Sequence, residues 1–224
     1  MKEREIEELL KDGGAVLVGF CKIPESPIKN QPNLTYCVSF AYKLSDGVLK
    51  TVEGRPTISY FQHYRAVNAR IDSLELDVIR LIENEGYDAV PIPASQSTSD
   101  DKSTYRGLFP HKTGARLSGI GYIGKNALLI TKEYGSKVRL GTVLTDMPLE
   151  RTREIIEGGC GSCEICKKIC PAGAISGINY EEGMQREDFF DAEKCSQNMK
   201  TYKDIGRGAV CGLCIVNCPK NKLR

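Results

Sequence analysis

The chain has 224 residues, 41% hydrophobic and 27% charged, which is ordinary globular usage: it excludes a disordered chain and allows a domain of about 150 residues plus a small appended module. The formal charge is +2 and the basic residues are scattered rather than clustered, so nothing indicates a nucleic-acid platform. The charged N-terminus has no apolar signal region or twin-arginine signal, and the longest apolar run, Ala15 to Cys21, is far too short for a bilayer; a cytoplasmic protein without a membrane partner is expected.

In chain order, residues 2–11 read as a short amphipathic helix closed by Gly13-Gly14, followed by strands at Ala15–Ile23 and Leu34–Leu44. Pro24, Pro27 and Pro32 make the connection between them irregular. After Pro56-Thr57, the residues Tyr60, Tyr64, Val67, Ile71, Leu74, Val78 and Leu81 recur at steps of four and three, which predicts one long helix ended by Gly86. A short strand (Ala89–Pro93), a polar loop (Ser95–Thr104) and a short helix (His111–Ser118) follow. Two strands, Ala127–Thr131 and Val138–Asp146, are then joined by a turn at Glu133-Tyr-Gly-Ser136. This irregular alternation favours an α+β sandwich at 1–150, with the module boundary near Leu149–Gly159 and a second module at 151–224. Cys21 and Cys37 are read as core thiols, and His63 as a packed or exposed helix residue.

The other eight cysteines form two sets: Cys160-x2-Cys163-x2-Cys166-x3-Cys170-Pro171, and Cys195 followed by Cys211-x2-Cys214-x3-Cys218-Pro219. Three thiolates at x2 spacing can curl around one iron–sulfur cube while the fourth, before proline, is directed to a second cube. On that rule Cys160, Cys163, Cys166 and Cys218 hold one [4Fe–4S] cluster, and Cys195, Cys211, Cys214 and Cys170 hold the other, a bacterial-ferredoxin-like arrangement. Structural zinc also uses Cys-x2-Cys pairs, but it needs two pairs per tetrahedral site, not a run of three plus a Cys-Pro. A disulfide framework conflicts with a reducing cytosol. Two all-thiolate clusters of charge about −2 each would bring the holoprotein to about −2.

The segment Gly119-Ile-Gly121-Tyr-Ile-Gly124-Lys125-Asn126 matches G-x-G-x-x-G and nearly matches G-x4-G-K-[ST]. The first motif must follow a strand and open a helix, and here the order is reversed. In the second, Asn126 stands where the magnesium-binding hydroxyl belongs. The alternative is a glycine-bent tight turn.

The stretch Ala115-Arg-Leu-Ser-Gly-Ile-Gly-Tyr-Ile-Gly-Lys-Asn126, with Glu133-Tyr-Gly-Ser, Leu144-Thr-Asp146 and Cys-Gly-Ser-Cys-x2-Cys-x3-Cys-Pro-x-Gly-Ala-Ile, resembles the epoxyqueuosine reductase family and, more distantly, reductive dehalogenases. That resemblance covers roughly residues 91–223. It implies a nitroreductase-like, cobalamin-binding α+β domain with base-off cobalamin in a cleft, and clusters that deliver electrons to cobalt. By motif matching, Gly119, Gly121, Tyr122, Gly124 and Lys125 would lie against the corrinoid. Where queuosine enzymes carry an Asp followed by a Pro and a Glu, with the Asp as proton donor, this chain has Tyr105-Arg-Gly-Leu-Phe-Pro-His111. Tyr105 and His111 are therefore the candidate catalytic proton donors, His111 more readily near neutral pH, although a lone His at a helix start is more often a surface or capping residue.

Longer queuosine reductases continue into helical repeats that help bind tRNA, whereas this sequence stops at Arg224, so the expected partner is a small-molecule substrate or a redox protein rather than tRNA. Three readings compete: a corrinoid-dependent reductase fed by a low-potential electron donor, an electron carrier that reduces or reactivates a partner's corrinoid or flavin, and a cluster-bearing binding module. The glycine segment favours a cofactor cleft, and the first reading is the expected one; replacement of the family's acid favours the carrier.

Overall fold

The computed structural model describes residues 2–95, 105–151, 153–205 and 210–221; most of the polar loop expected at Ser95–Thr104 lies outside them. The chain opens with α1 (Lys2–Asp12), which ends where Gly14 takes a φ of +99°. Strands β1 (Ala15–Lys22) and β2 (Tyr36–Lys43) follow, then a single turn α2 (Asp46–Leu49) and the long α3 (Ile58–Asn84). Thr57 caps α3, its side chain accepting the Tyr60 N–H at 3.2 Å, and Gly86 leaves it at a φ of +84°. β3 (Ala89–Pro91), α4 (His111–Leu117), β4 (Tyr122–Ile123), β5 (Leu129–Ile130) and β6 (Val138–Thr145) complete the first part; α5 (Ile165–Ile169), α6 (Ala192–Met199) and α7 (Leu213–Val216) belong to the second.

The main sheet has the order β1-β2-β6-β3, every pairing antiparallel, as an α+β fold requires. Side chains alternate across it. Val18, Phe20, Val38, Phe40 and Val143 pack with Ile71, Leu74 and Val78 of α3 and with Ile6 and Leu10 of α1. On the other face Leu17 and Ala41 meet Ala115 of α4, and Cys21, Cys37 and Leu144 meet Phe109 just before it. Cys21 and Cys37 are directly paired across β1 and β2 and fully buried, as the sequence predicts for core thiols. His63 is likewise a packed helix residue, its Nε2 accepting the Ser45 N–H at 3.0 Å.

One expected strand is much shorter than its apolar run. Ala127 has a φ of +57° and its N–H closes a turn onto the Gly124 carbonyl at 2.9 Å, so extended pairing begins only at Leu129. β5 pairs with β4 in a separate two-stranded sheet, while β6, the next strand in the chain, enters the main one. The intervening turn forms where expected, with a Thr131–Gly135 bridge and Gly135 at a φ of +59°.

Packing crosses the expected module boundary. Ile205, Val210, Leu213 and Ile215 are buried in the same core as Tyr60, Met147 and Leu149. At about 1.5–3 kcal/mol for each large apolar side chain buried, this contact fastens the second part to the first. Among the described residues, no helix is long and apolar enough to cross a membrane.

Candidate redox site

The cysteine sets are shaped by turns and short helices. The Cys163 N–H closes a turn onto the Cys160 carbonyl at 3.0 Å, and α5 then carries Cys166. Pro171 cannot continue a helix and pushes the residue before it to extended backbone; Cys170 accordingly has a ψ of 111°. Cys195 sits on α6, which Asp191 caps by accepting the Lys194 N–H at 2.9 Å. Cys214 sits on α7, with Cys211 before it and Cys218 after.

This arrangement brings the thiols together in two groups. A small enclosed space is lined by Cys160, Cys163, Cys166 and Cys218, together with Asn126 and Ile130. Burial raises the Cys166 and Cys218 thiols, and Cys160 and Cys163 act in the same direction on both. In the second group burial raises Cys195 to about 11, with Cys211 and Cys170 adding to it. Cys214 is also raised by burial and then by Cys211, Cys195 and Cys170. Among the described residues, no three His, Cys, Asp or Glu side chains converge on a point where one metal ion would sit. Four thiols around such a space could hold a metal cluster, whose positive charge would offset the cost of deprotonating buried sulfur.

The glycine segment docks the second part onto the first. A Cβ at Gly119, whose φ is +75°, would stand 2.5 Å from the Glu154 carbonyl oxygen, and one at Gly121 would stand 2.6 Å from that of Ile130. Gly124 is closed off by the Ile130 side chain, and Lys125 is 5% exposed. Tyr122 lies beside Cys160; burial first, then that thiol, pushes its hydroxyl pKa up. Asn126 Nδ2 donates to the Cys214 carbonyl at 3.4 Å, and the Ser136 N–H to Asn221 Oδ1 at 2.8 Å. The close approach these glycines allow is thus to protein backbone and side chains near the first thiol group.

A larger cavity of about 670 Å³ lies on the other side of β5. Leu129 lines it, whereas its neighbour Ile130 lines the thiol space, so one strand forms the wall between the two. Tyr105 and His111 both line this cavity; Gly119, Gly121, Tyr122, Gly124 and Lys125 do not. Tyr105 has a φ of +48°, and its carbonyl accepts from Arg186 Nη1 at 2.8 Å. The far wall comes from Tyr180 and the segment from Met184 to Phe189, which lies between the two cysteine sets in sequence.

His111 departs from the role expected of it. Nδ1 lies 2.9 Å from Thr142 Oγ1, Nε2 is buried without a hydrogen-bond partner, and burial takes the ring down to about 4, the Pro93 carbonyl acting in the opposite direction. The imidazole is therefore neutral near pH 7, and desolvation removes the readiness to give up a proton that an exposed histidine would have. Lys112, which the sequence did not single out, also lines the cavity: Nζ donates to the Ala127 carbonyl at 2.7 Å, and burial, then Arg186, lower its pKa to about 8. Its only sequence signal is its place beside His111.

No protein-family model matches the chain. Among curated proteins it is 33% identical over 111 residues to an epoxyqueuosine reductase of Lactococcus garvieae, and 37% identical over 117 residues to one of Listeria monocytogenes. The chain resembles the epoxyqueuosine reductases. Each alignment takes in 48% of this chain but 31% and 28% of those reductases, so the chain spans less than a third of their length. The fold is shared with solved structures. The epoxyqueuosine reductase of Streptococcus thermophilus aligns with a TM-score of 0.62 at 20% identity, covering 98% of this chain and 66% of that one. The catabolic reductive dehalogenase NpRdhA aligns with a TM-score of 0.74 at 22% identity, covering 97% of this chain and 31% of that one. Another epoxyqueuosine reductase structure of this fold is in complex with a modified tRNA stem loop.

Proposed function

We propose that this chain is an iron–sulfur oxidoreductase that takes electrons from a low-potential donor through two [4Fe–4S] clusters to a corrinoid at the large cavity, and that it reduces a small organic substrate or a modified nucleoside. The observation that carries this reading is the single-strand wall. Ile130 lines the space of one four-thiol group and Leu129 lines the cavity, so neighbouring residues of β5 border the electron store and the chamber it would serve. The curated relatives named epoxyqueuosine reductase support the reductase assignment. A reductive dehalogenase of this fold, for which B12-dependent dehalogenation is described, supports the corrinoid.

A bound corrinoid supplies a reducible cobalt centre. The chain's own residues do the rest. The hydrophobic and aromatic lining suits a flat macrocycle or an organic substrate, with Phe109, Tyr180 and Phe189 keeping water out. Contact with the corrinoid falls to the apolar lining at Ala127, Leu128, Leu129, Val138 and Leu140, and the segment from Gly119 to Lys125 holds the electron-delivery module in place. The Tyr105 hydroxyl is the proton donor of this reading, and neutral His111 orients what binds through Nε2. Ten free thiols accord with the reducing cytoplasm as the place of work.

The neutral His111, standing where an acid would be needed, favours a second reading, a carrier that reduces a partner's corrinoid or flavin without its own turnover. Titration of the anaerobically reconstituted protein with cob(II)alamin separates the two. A saturable shift to the base-off spectrum is expected; binding of a flavin with no response to the corrinoid would transfer the assignment to the carrier.

A further inference from the structure

Among the described residues, the charge of the large cavity is unbalanced. Among the described residues lining it, Lys112, Arg106, Arg139 and Arg186 are cationic, and Glu187 is the one carboxylate. Glu187 is engaged by two of them, lying 2.9 Å from Arg106 Nη2 and 2.6 Å from Arg186 Nη2. The remaining two hydrogen-bond to neutral partners, although Lys112 also feels the Glu187 charge. Lys112 donates to a backbone carbonyl, and Arg139 is held by the Asn68 side chain at 3.1 Å, the Tyr64 hydroxyl at 3.1 Å and Ser95 Oγ. Such partners satisfy donors without offsetting charge, and a half-enclosed cation is costly until an anion joins it. His111 Nε2 adds a buried hydrogen-bonding atom with no partner of its own.

We propose that this cavity takes an organic anion, with a carboxylate or phosphate drawn by Lys112 and Arg139 and an apolar body against the aromatic wall. The inference rests on the cavity being the substrate chamber and names the class of substrate it admits. Binding of such an anion does not itself require electron transfer, so it is measurable apart from any reaction.

Calorimetric titration of the iron–sulfur-reconstituted protein with naphthoate, naphthyl phosphate and the neutral naphthamide tests it. At least one anion is expected to bind about tenfold or more tighter than the amide, and the stronger of the two identifies the acid group. Lys112→Met should lower the anion affinity about tenfold while leaving amide binding unchanged, which also reports that the variant is folded. Glu187→Gln, by removing the resident counter-charge, should raise the anion affinity. Equal affinity for amide and acids, an unchanged ratio in Lys112→Met, or no anion binding at concentrations of about 1 mM would overturn the proposal. Repeating the titration with cobalamin present keeps the two readings apart. An anion that still binds alongside the corrinoid supports a substrate site, whereas displacement of the anion would assign Lys112 and Arg139 to the corrinoid's own substituents and overturn it. Anion binding in a protein that takes up no corrinoid would leave the site standing while the corrinoid reading fails.

Discussion

Glu75 illustrates how a single buried group sets a measurable property. On α3, 1% exposed, its Oε1 accepts the Thr142 N–H at 2.8 Å. The Thr142 carbonyl receives the Ile92 N–H at 2.9 Å, so its own N–H faces the same sheet edge just where β3 has ended, and the carboxyl supplies the acceptor the missing strand would have given. Burial pushes Glu75 up to about 8, with the Thr142 N–H opposing and Asp72 adding. Between its ordinary value of 4.5 and about 8 the folded chain therefore holds a proton that the unfolded chain has released. The associated stability is fully present below that window and is lost as pH rises through it, at up to about 1.4 kcal/mol per pH unit. Glu75→Gln keeps the acceptor and removes the ionisation. Its unfolding free energy should match the parent's near pH 4 and exceed it at pH 8 by on the order of 4 kcal/mol, and parallel pH profiles would refute the assignment. Nothing local in the sequence distinguishes Glu75 from the exposed acids around it, because its burial depends on β6 and on where β3 stops. The cysteines are the opposite case, since their spacing along the chain alone predicts the two thiol groups that the structure brings together.

At the scale of elements, the pattern of apolar residues foretold α3, α1 and the three long strands because each carries its own period. α3 ends at Gly86 and buries Val67, Ile71, Leu74 and Val78 as read. Leu81 also packs against this core, partly buried, and Ile82 beside it is fully buried. The pairing of β5 with β4 was not legible, since partner choice is decided by tertiary contact and by a left-handed Ala127 that no residue preference announces. The short helices α5 and α7 have too few residues to show a period, and the turns around their cysteines define them. The segment from Cys166 to Cys170 tests the crossing directly. α5 ends at Ile169, before the Cys170-Pro171 pair, with Cys170 among the neighbours of Cys195 and Cys214, so Cys170→Ser should damage the cluster assigned to Cys195, Cys211 and Cys214. Loss confined to the Cys160 cluster, read by electron paramagnetic resonance, would contradict it.

Across the whole molecule, Ile205, Val210, Leu213 and Ile215 of the second part enter the main core of the first. The large cavity could not be read in advance because its walls come from separated stretches: Pro93 and Ser95, Tyr105–Thr113, the β5 and β6 region, and Tyr180–Phe189. The glycine segment was legible as a motif but not in its contacts, which are to Arg153, Glu154 and Ile130. All of this places eight thiols in two groups, one of them a strand's thickness from the cavity. Iron and acid-labile sulfide analysis after anaerobic reconstitution tests that claim most directly. The account predicts about eight of each per chain, and tightly bound zinc with no labile sulfide would contradict it.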